Sequence, residues 1–114
     1  MINGAHVVVT STNPEADHAL LRDVFKLPHV NDGGYVIFGL PPAEMSVHHG
    51  ASNDSHQLFL TCADIRAFLA EMARRKIACT AVQDQGWGLV SEMTLPGGGK
   101  LNVYEPRHAR PQHL

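Results

Sequence analysis

Cysteine is scarce in this chain: Cys62 and Cys79 are the only two in 114 residues. So few thiols, set far apart, exclude a disulfide framework and a zinc-finger spacing. Both read as small buried apolar residues, Cys62 closing a strand and Cys79 following a helix. Positive charge is not in excess either. Nine Lys and Arg against eleven Asp and Glu give a formal charge of −2, which leaves no basic face for nucleic acid or anionic lipid. Apolar runs are short, and none approaches the roughly 18 residues of a membrane helix. The opening residues lack the charged-then-apolar pattern of a signal peptide, so a cytoplasmic location is expected. No charge run marks the chain as a regulatory partner protein.

What is present is an ordinary globular composition, 44% hydrophobic and 18% charged, in a length that suits one domain over residues 1–114. Histidine is the one excess, at eight residues. His18 falls on a helix, and His108 and His113 fall in a Pro/Arg-rich tail, where they need no special role. His6, His48, His49 and His56 fall on strand-like segments. The chain also repeats itself. His6 opens the run Val7-Val8-Val9, and fifty residues on His56 opens Gln57-Leu58-Phe59-Leu60. A helical stretch and Gly-bearing strands follow each, the mark of one unit used twice.

The first copy reads as a strand over His6–Thr10, then a helix capped by Asn13, with Pro14 at its first position and Ala16, Leu20, Leu21, Val24 and Phe25 at helical spacing. Asp32-Gly33-Gly34 turns into the strand Tyr35–Phe38, and residues 44–48 alternate as a half-buried strand. A polar linker, Gly50–Ser55, separates the copies. The second begins with a strand over His56–Cys62 and a helix capped by Asp64 with Ile65, Phe68, Leu69, Met72 and Ile77 along one stripe. Short strands follow at Ala78–Val82, Trp87–Leu95 and Lys100–Tyr104, with Pro96-Gly97-Gly98-Gly99 as a turn.

Strand side chains alternate between faces. The helices must cover the apolar sets, such as Val7 with Val9, Met45 with Val47, and Leu101 with Val103. His6, Glu44, Ser46, His48, His56, Asn102 and Tyr104 are left for the open face, a polar lining drawn from four strands. His49 falls with the covered set. A single strand histidine is more often a hydrogen-bonded structural residue than a ligand, and both readings stay open for each.

A paired βαβββ unit carried by Gly4-Ala5-His6-Val7-Val8-Val9, Ser55-His56-Gln57-Leu58-Phe59 and Gly98-Gly99-Lys100-Leu101-Asn102-Val103-Tyr104-Glu105-Pro106 resembles the vicinal oxygen chelate superfamily. That group includes glyoxalase I, bleomycin-resistance proteins and extradiol dioxygenases. The resemblance implies an α+β fold of two βαβββ modules, at about 4–50 and 55–106, forming a cup-shaped mixed sheet with helices outside. It also implies a homodimer. In such proteins a divalent metal sits on the floor of the cup. Carried over by position, His6 and His56 match histidine ligands and Glu44 a glyoxalase-type carboxylate, with Glu44 also the candidate proton shuttle. His48 shares their face. Asn102 stands where the superfamily places a final glutamate, and Glu105 points the other way; a neutral amide is the weaker ligand.

Two functions follow from this reading. One is a glyoxalase-like metalloenzyme of lyase, isomerase or dioxygenase type. His6, Glu44, His56 and His48 would hold Zn²⁺, Ni²⁺, Mn²⁺ or Fe²⁺ with positions open to vicinal substrate oxygens. The other is a metal-free cup that sequesters a small organic molecule, as the bleomycin-resistance proteins do, with Phe38, Trp87, Asn102 and Tyr104 as its walls. Asn102 favours the second and the His6, His56 and Glu44 set the first.

Overall fold

Both helices begin on the side-chain caps expected of them. In the computed structural model, which describes residues 7, 9–44, 46, 49, 51–54 and 56–109, Asn13 Oδ1 accepts from the Ala16 amide at 3.3 Å and Pro14 opens α1 (Pro14–Ala19). The helix continues as a π-helical turn, Leu20–Val24, closed by Phe25 N–H donating to Leu20 O at 3.0 Å. Asp64 Oδ1 accepts from the Arg66 and Ala67 amides at 3.0 and 3.1 Å and starts α2 (Ile65–Arg74). The Ile65 amide donates to Glu105 Oε1 at 3.1 Å, so this glutamate, on the helix side of its strand, completes the cap.

The two helices also end alike. Lys26 (φ 55°) and Lys76 (φ 59°), fifty positions apart, both take the left-handed conformation. Each precedes an apolar residue whose amide reaches back, Leu27 to Leu21 O at 3.1 Å and Ile77 to Met72 O at 2.9 Å. The second is a Schellman-type stop, normally given to glycine. The two helix ends thus share a left-handed residue at the same point of the stop.

After α1 comes a hairpin of β1 (His29–Asp32) and β2 (Tyr35–Phe38), a two-stranded antiparallel sheet. Gly33 (φ 58°) and Gly34 (φ 92°) form its two-residue type I′ turn and fix the register at Asp32↔Tyr35. The arm His29–Asp32 is a strand the sequence reading left out; the turn dictates it as the partner of Tyr35–Phe38.

The second half holds β3 (Phe59–Thr61), α2, β4 (Gln83–Asp84), β5 (Gly88–Thr94) and β6 (Lys100–Pro106). Its sheet order is β3-β6-β5-β4, with β3 parallel to β6 and the other pairs antiparallel. That is a complete βαβββ unit. Leu89, Met93 and Val103 pack from the sheet against Ile65 and Met72 of α2 and Leu20 of the first helix. Each fully buried side chain of this kind contributes roughly 1.5–3 kcal/mol. Ser91, 1% exposed among them, donates its hydroxyl to Thr80 O at 2.7 Å.

A clasp joins the halves. Asp17, 6% exposed, accepts from the Gly97 amide at 2.8 Å, and Thr12 Oγ1 donates to Gly97 O at 3.1 Å. A Cβ on Gly97 would lie 2.9 Å from both Asp17 oxygens, so glycine alone lets the carboxylate close on the turn.

Several expected strands are shorter or displaced. In the expected first strand, His6 and Val8 lie outside the described residues, and Val7, Val9 and Thr10 belong to no strand. In the expected strand at 44–48, Met45, Val47 and His48 lie outside, and Glu44 and Ser46 are not in a strand. Residues 56–58 precede β3 rather than extend it. Ala78–Val82 touches β5 through the Cys79↔Met93 bridge, and the paired strand β4 begins at Gln83. Among the described residues the hairpin and the four-stranded sheet are thus separate sheets, and none of the helices is long and apolar enough to cross a membrane.

Candidate functional site

The ladder register places side chains in rows across the open face of the four-stranded sheet. Phe59, Asn102 and Glu92 form one row; Thr61, Tyr104, Val90 and Gln83 form the next. The helix face takes the alternate residues, Leu60, Val103 and Leu101 with Leu89 and Met93.

Three aromatic rings meet on the open face. Ring centroids lie 5.6 Å apart for Phe59 and Tyr104, 5.2 Å for Trp87 and Tyr104, and 5.9 Å for Phe59 and Trp87, with interplanar angles of 83°, 78° and 88°. Edge-to-face packing of this kind is worth about 0.5–1.5 kcal/mol per pair beyond burial. The group keeps an open side, for Trp87 is 42% exposed. Local sequence explains its position. Asp84 Oδ1 accepts from the Gly86 amide at 2.9 Å, Gly86 (φ 82°) turns the chain, and Trp87 projects just before β5. A Cβ on Gly88 would stand 2.7 Å from Tyr104 Cδ2, so the Tyr104 ring packs where a side chain is missing.

A polar end adjoins the rings. His108 Nε2 lies 3.0 Å from the Tyr104 hydroxyl, with the two rings tilted at 33° and 5.8 Å apart. His108 Nδ1 lies 2.8 Å from Ala109 O. A carbonyl only accepts, so Nδ1 carries the proton in the neutral ring, and Nε2 accepts from the Tyr104 hydroxyl. Glu44 Oε1 stands 3.5 Å from the same Nε2, its side chain 19% exposed. The first half thereby brings a carboxylate to the aromatic face of the second.

Of the candidate residues, Trp87, Asn102 and Tyr104 come together here, with Glu44 at the polar end. Phe38 lies elsewhere: its ring packs 5.7 Å from His18 and 5.5 Å from His29 on the inner side of the hairpin. His56 is exposed and precedes β3, and His49 is exposed. His6 and His48 lie outside the described residues. Among the described residues, no three His, Cys, Asp or Glu side chains converge as a metal site. Phe59 and His108 were not anticipated. Alternation in His56–Cys62 could have found the first, because Leu58, Leu60 and Cys62 share one face and leave Phe59 and Thr61 for the other. No sequence signal marks His108.

The thiols are poorly suited to nucleophilic work. Burial, aided by the nearby Glu105 carboxylate, raises the Cys62 pKa above the ordinary thiol value. Burial raises that of Cys79 likewise. Cys62 lines a cavity of about 320 Å³ with Pro41, Pro42 and Glu105.

The βαβββ unit, the helix pair and the open face together have the fold of the vicinal oxygen chelate superfamily, and comparison with solved structures bears this out. A lactoylglutathione lyase from Agrobacterium tumefaciens is 14% identical, with a TM-score of 0.59 over 90% of this chain and 92% of its own. The antibiotic binding protein TnmS3 from Streptomyces sp. CB03234 is 15% identical, with a TM-score of 0.59 over 93% and 99%. Virulence protein STM3117 from Salmonella typhimurium is 12% identical, with a TM-score of 0.60 over 93% and 98%. At these identities the likeness is one of fold. No protein-family model and no curated protein matches the sequence.

Proposed function

We propose that the chain binds a small organic molecule by stacking it on the Phe59–Trp87–Tyr104 face. The carrying observation is that three aromatic side chains from separate segments meet on the sheet face away from α2 while Trp87 keeps 42% of its surface exposed. Asn102 and Glu92, in the row beside Tyr104, add hydrogen-bonding groups that orient a ligand. The fold shared with an antibiotic binding protein supports this reading.

A homodimer is part of the proposal. The outer face of the β1–β2 hairpin carries Val30, Tyr35 and Ile37, exposed at 62%, 78% and 39%. We place the contact with a second copy on that face, extended by neighbouring surface to the roughly 800 Å² per partner that a stable complex needs.

Metal-dependent chemistry is the second reading, favoured by a half-buried Glu44 held beside the aromatic face and by the fold shared with a lactoylglutathione lyase. The described donors do not fit such a site by themselves: Glu44 is the member at the face, while His56 stands exposed before β3. No reaction step is assigned to it.

Titration with planar aromatic compounds, followed by Trp87 fluorescence, tests the first reading. Saturable quenching that weakens about fivefold in Phe59→Ala, from the loss of contacts worth about 1 kcal/mol, is expected. Equal affinity in wild type and variant rejects it. Elemental analysis of untagged protein showing one Zn²⁺, Ni²⁺, Mn²⁺ or Fe²⁺ per chain would move the balance to the metal reading. Sedimentation as a monomer at micromolar concentration would reject the dimer.

A further inference from the structure

Residues 107–109, which follow β6, lie against the aromatic face. Arg107 N–H donates to Trp87 O at 2.8 Å, one rung beyond the Gly88↔Pro106 pair, so the β5–β6 ladder runs on into the segment carrying Trp87. One residue on, His108 accepts from the Tyr104 hydroxyl, lies tilted against its ring, and reaches Glu44 of the first half at 3.5 Å. Its own ring is oriented by Ala109 O at 2.8 Å. Residues 107–109 thus contact Tyr104 four positions back and two groups from distant parts of the sequence, Trp87 and Glu44.

We infer that this segment is a strap and that His108 is the positioning residue of the ligand face. The inference rests on the binding reading above. One of these bonds fixes a ring: the imidazole sets the Tyr104 ring by its hydroxyl, while the backbone bond of Arg107 holds the main chain at Trp87. Holding the Tyr104 ring before the ligand arrives removes an ordering cost that binding would otherwise meet. His108 itself is not required to touch the ligand.

The test uses the full-length chain and 1-aminoanthracene, a planar neutral probe that accepts Trp87 emission, with wild type, His108→Ala and His108→Gln. Glutamine can still accept from the Tyr104 hydroxyl. Weaker binding by about tenfold in His108→Ala, with at least half the loss in free energy regained in His108→Gln, is expected. Thermal melting of each variant separates this from unfolding, and the emission anisotropy of Trp87 in the free protein should fall in His108→Ala alone. Unchanged affinity in His108→Ala overturns the inference while leaving the stacking face intact. Tighter binding overturns it too, since the strap would then block the face. Failure of wild type to bind this probe or any planar compound overturns the binding reading, and the strap with it.

Discussion

Gly88→Ala is the sharpest single perturbation of the aromatic face. The added methyl would stand 2.7 Å from Tyr104 Cδ2, 3.3 Å from Tyr104 Cε2 and 3.0 Å from Glu105 O. The Cδ2 contact is far inside van der Waals distance and the Cε2 contact is short by a few tenths of an ångström, and the ring cannot yield freely, because Tyr104 is 8% exposed and packs against Phe59 and Trp87. Overpacking of this kind costs about 1–3 kcal/mol. Gly88 has no positive φ, so alanine also restricts the unfolded chain and recovers roughly 0.4–1 kcal/mol. The net loss is about 1–2 kcal/mol, which lowers Tm by roughly 4–8 °C in a domain of this size. Circular dichroism melts measure it, and Trp87 emission should shift to the red as Tyr104 moves. A double-mutant cycle identifies the cause: beside Tyr104→Ala, the Gly88 substitution should lose at least half its cost. A Gly88→Ala protein melting at or above wild type, or one that loses as much beside Tyr104→Ala, would refute the packing described for this face.

Asp17→Ala should cost about 1–2 kcal/mol in chemical denaturation, because the Gly97 amide loses a charged acceptor at 2.8 Å. Asp17→Asn should keep most of that stability, since an amide oxygen can still accept; equal losses would dismiss the clasp. Lys76→Gly should raise stability by about 0.5–1 kcal/mol, by relieving a lysine held at φ 59°, and a lower melting temperature would contradict the strain. Cys62 has a folded pKa above its unfolded value, so its protonated form is the one the fold favours. At neutral pH both states keep the proton and stability is unaffected; as pH climbs through the ordinary thiol range the unfolded chain ionises first and stability is lost. Alkaline melts of Cys62→Ser should fall less steeply than those of wild type, and parallel curves would count against this.

The sequence was most readable where chemistry is local. Asn13 and Asp64 cap the helices because a short oxygen-bearing side chain ahead of an apolar stripe has few other uses. Gly33-Gly34 gives a hairpin because two successive positive φ values suit little else. The site was less readable because it is assembled across the sheet. Asn102, Tyr104 and Trp87 reach the open face as alternation and the glycine turn indicate. Phe59 reaches it because Leu60 and Cys62 pack toward the core, a parity set by burial rather than by the histidine that opens the segment. Phe38 goes to the hairpin's inner side because its register partner, His29, belongs to a strand the sequence did not announce. His108 was hidden for a different reason. A Pro/Arg-rich tail has no periodicity to read, and only the fold shows that the chain doubles back over Tyr104.

The parallel pairing of Phe59–Thr61 with Asn102–Tyr104 has a consequence for biosynthesis. On the ribosome, the strand that opens the second half must wait more than forty residues for its neighbour among the described strands. Until that neighbour clears the exit tunnel, the nascent polypeptide carries an unsatisfied edge, the kind of exposure that invites chaperone capture or misassembly. Premature termination before residue 100 would therefore leave β3 without β6 and remove Asn102 and Tyr104 from the face.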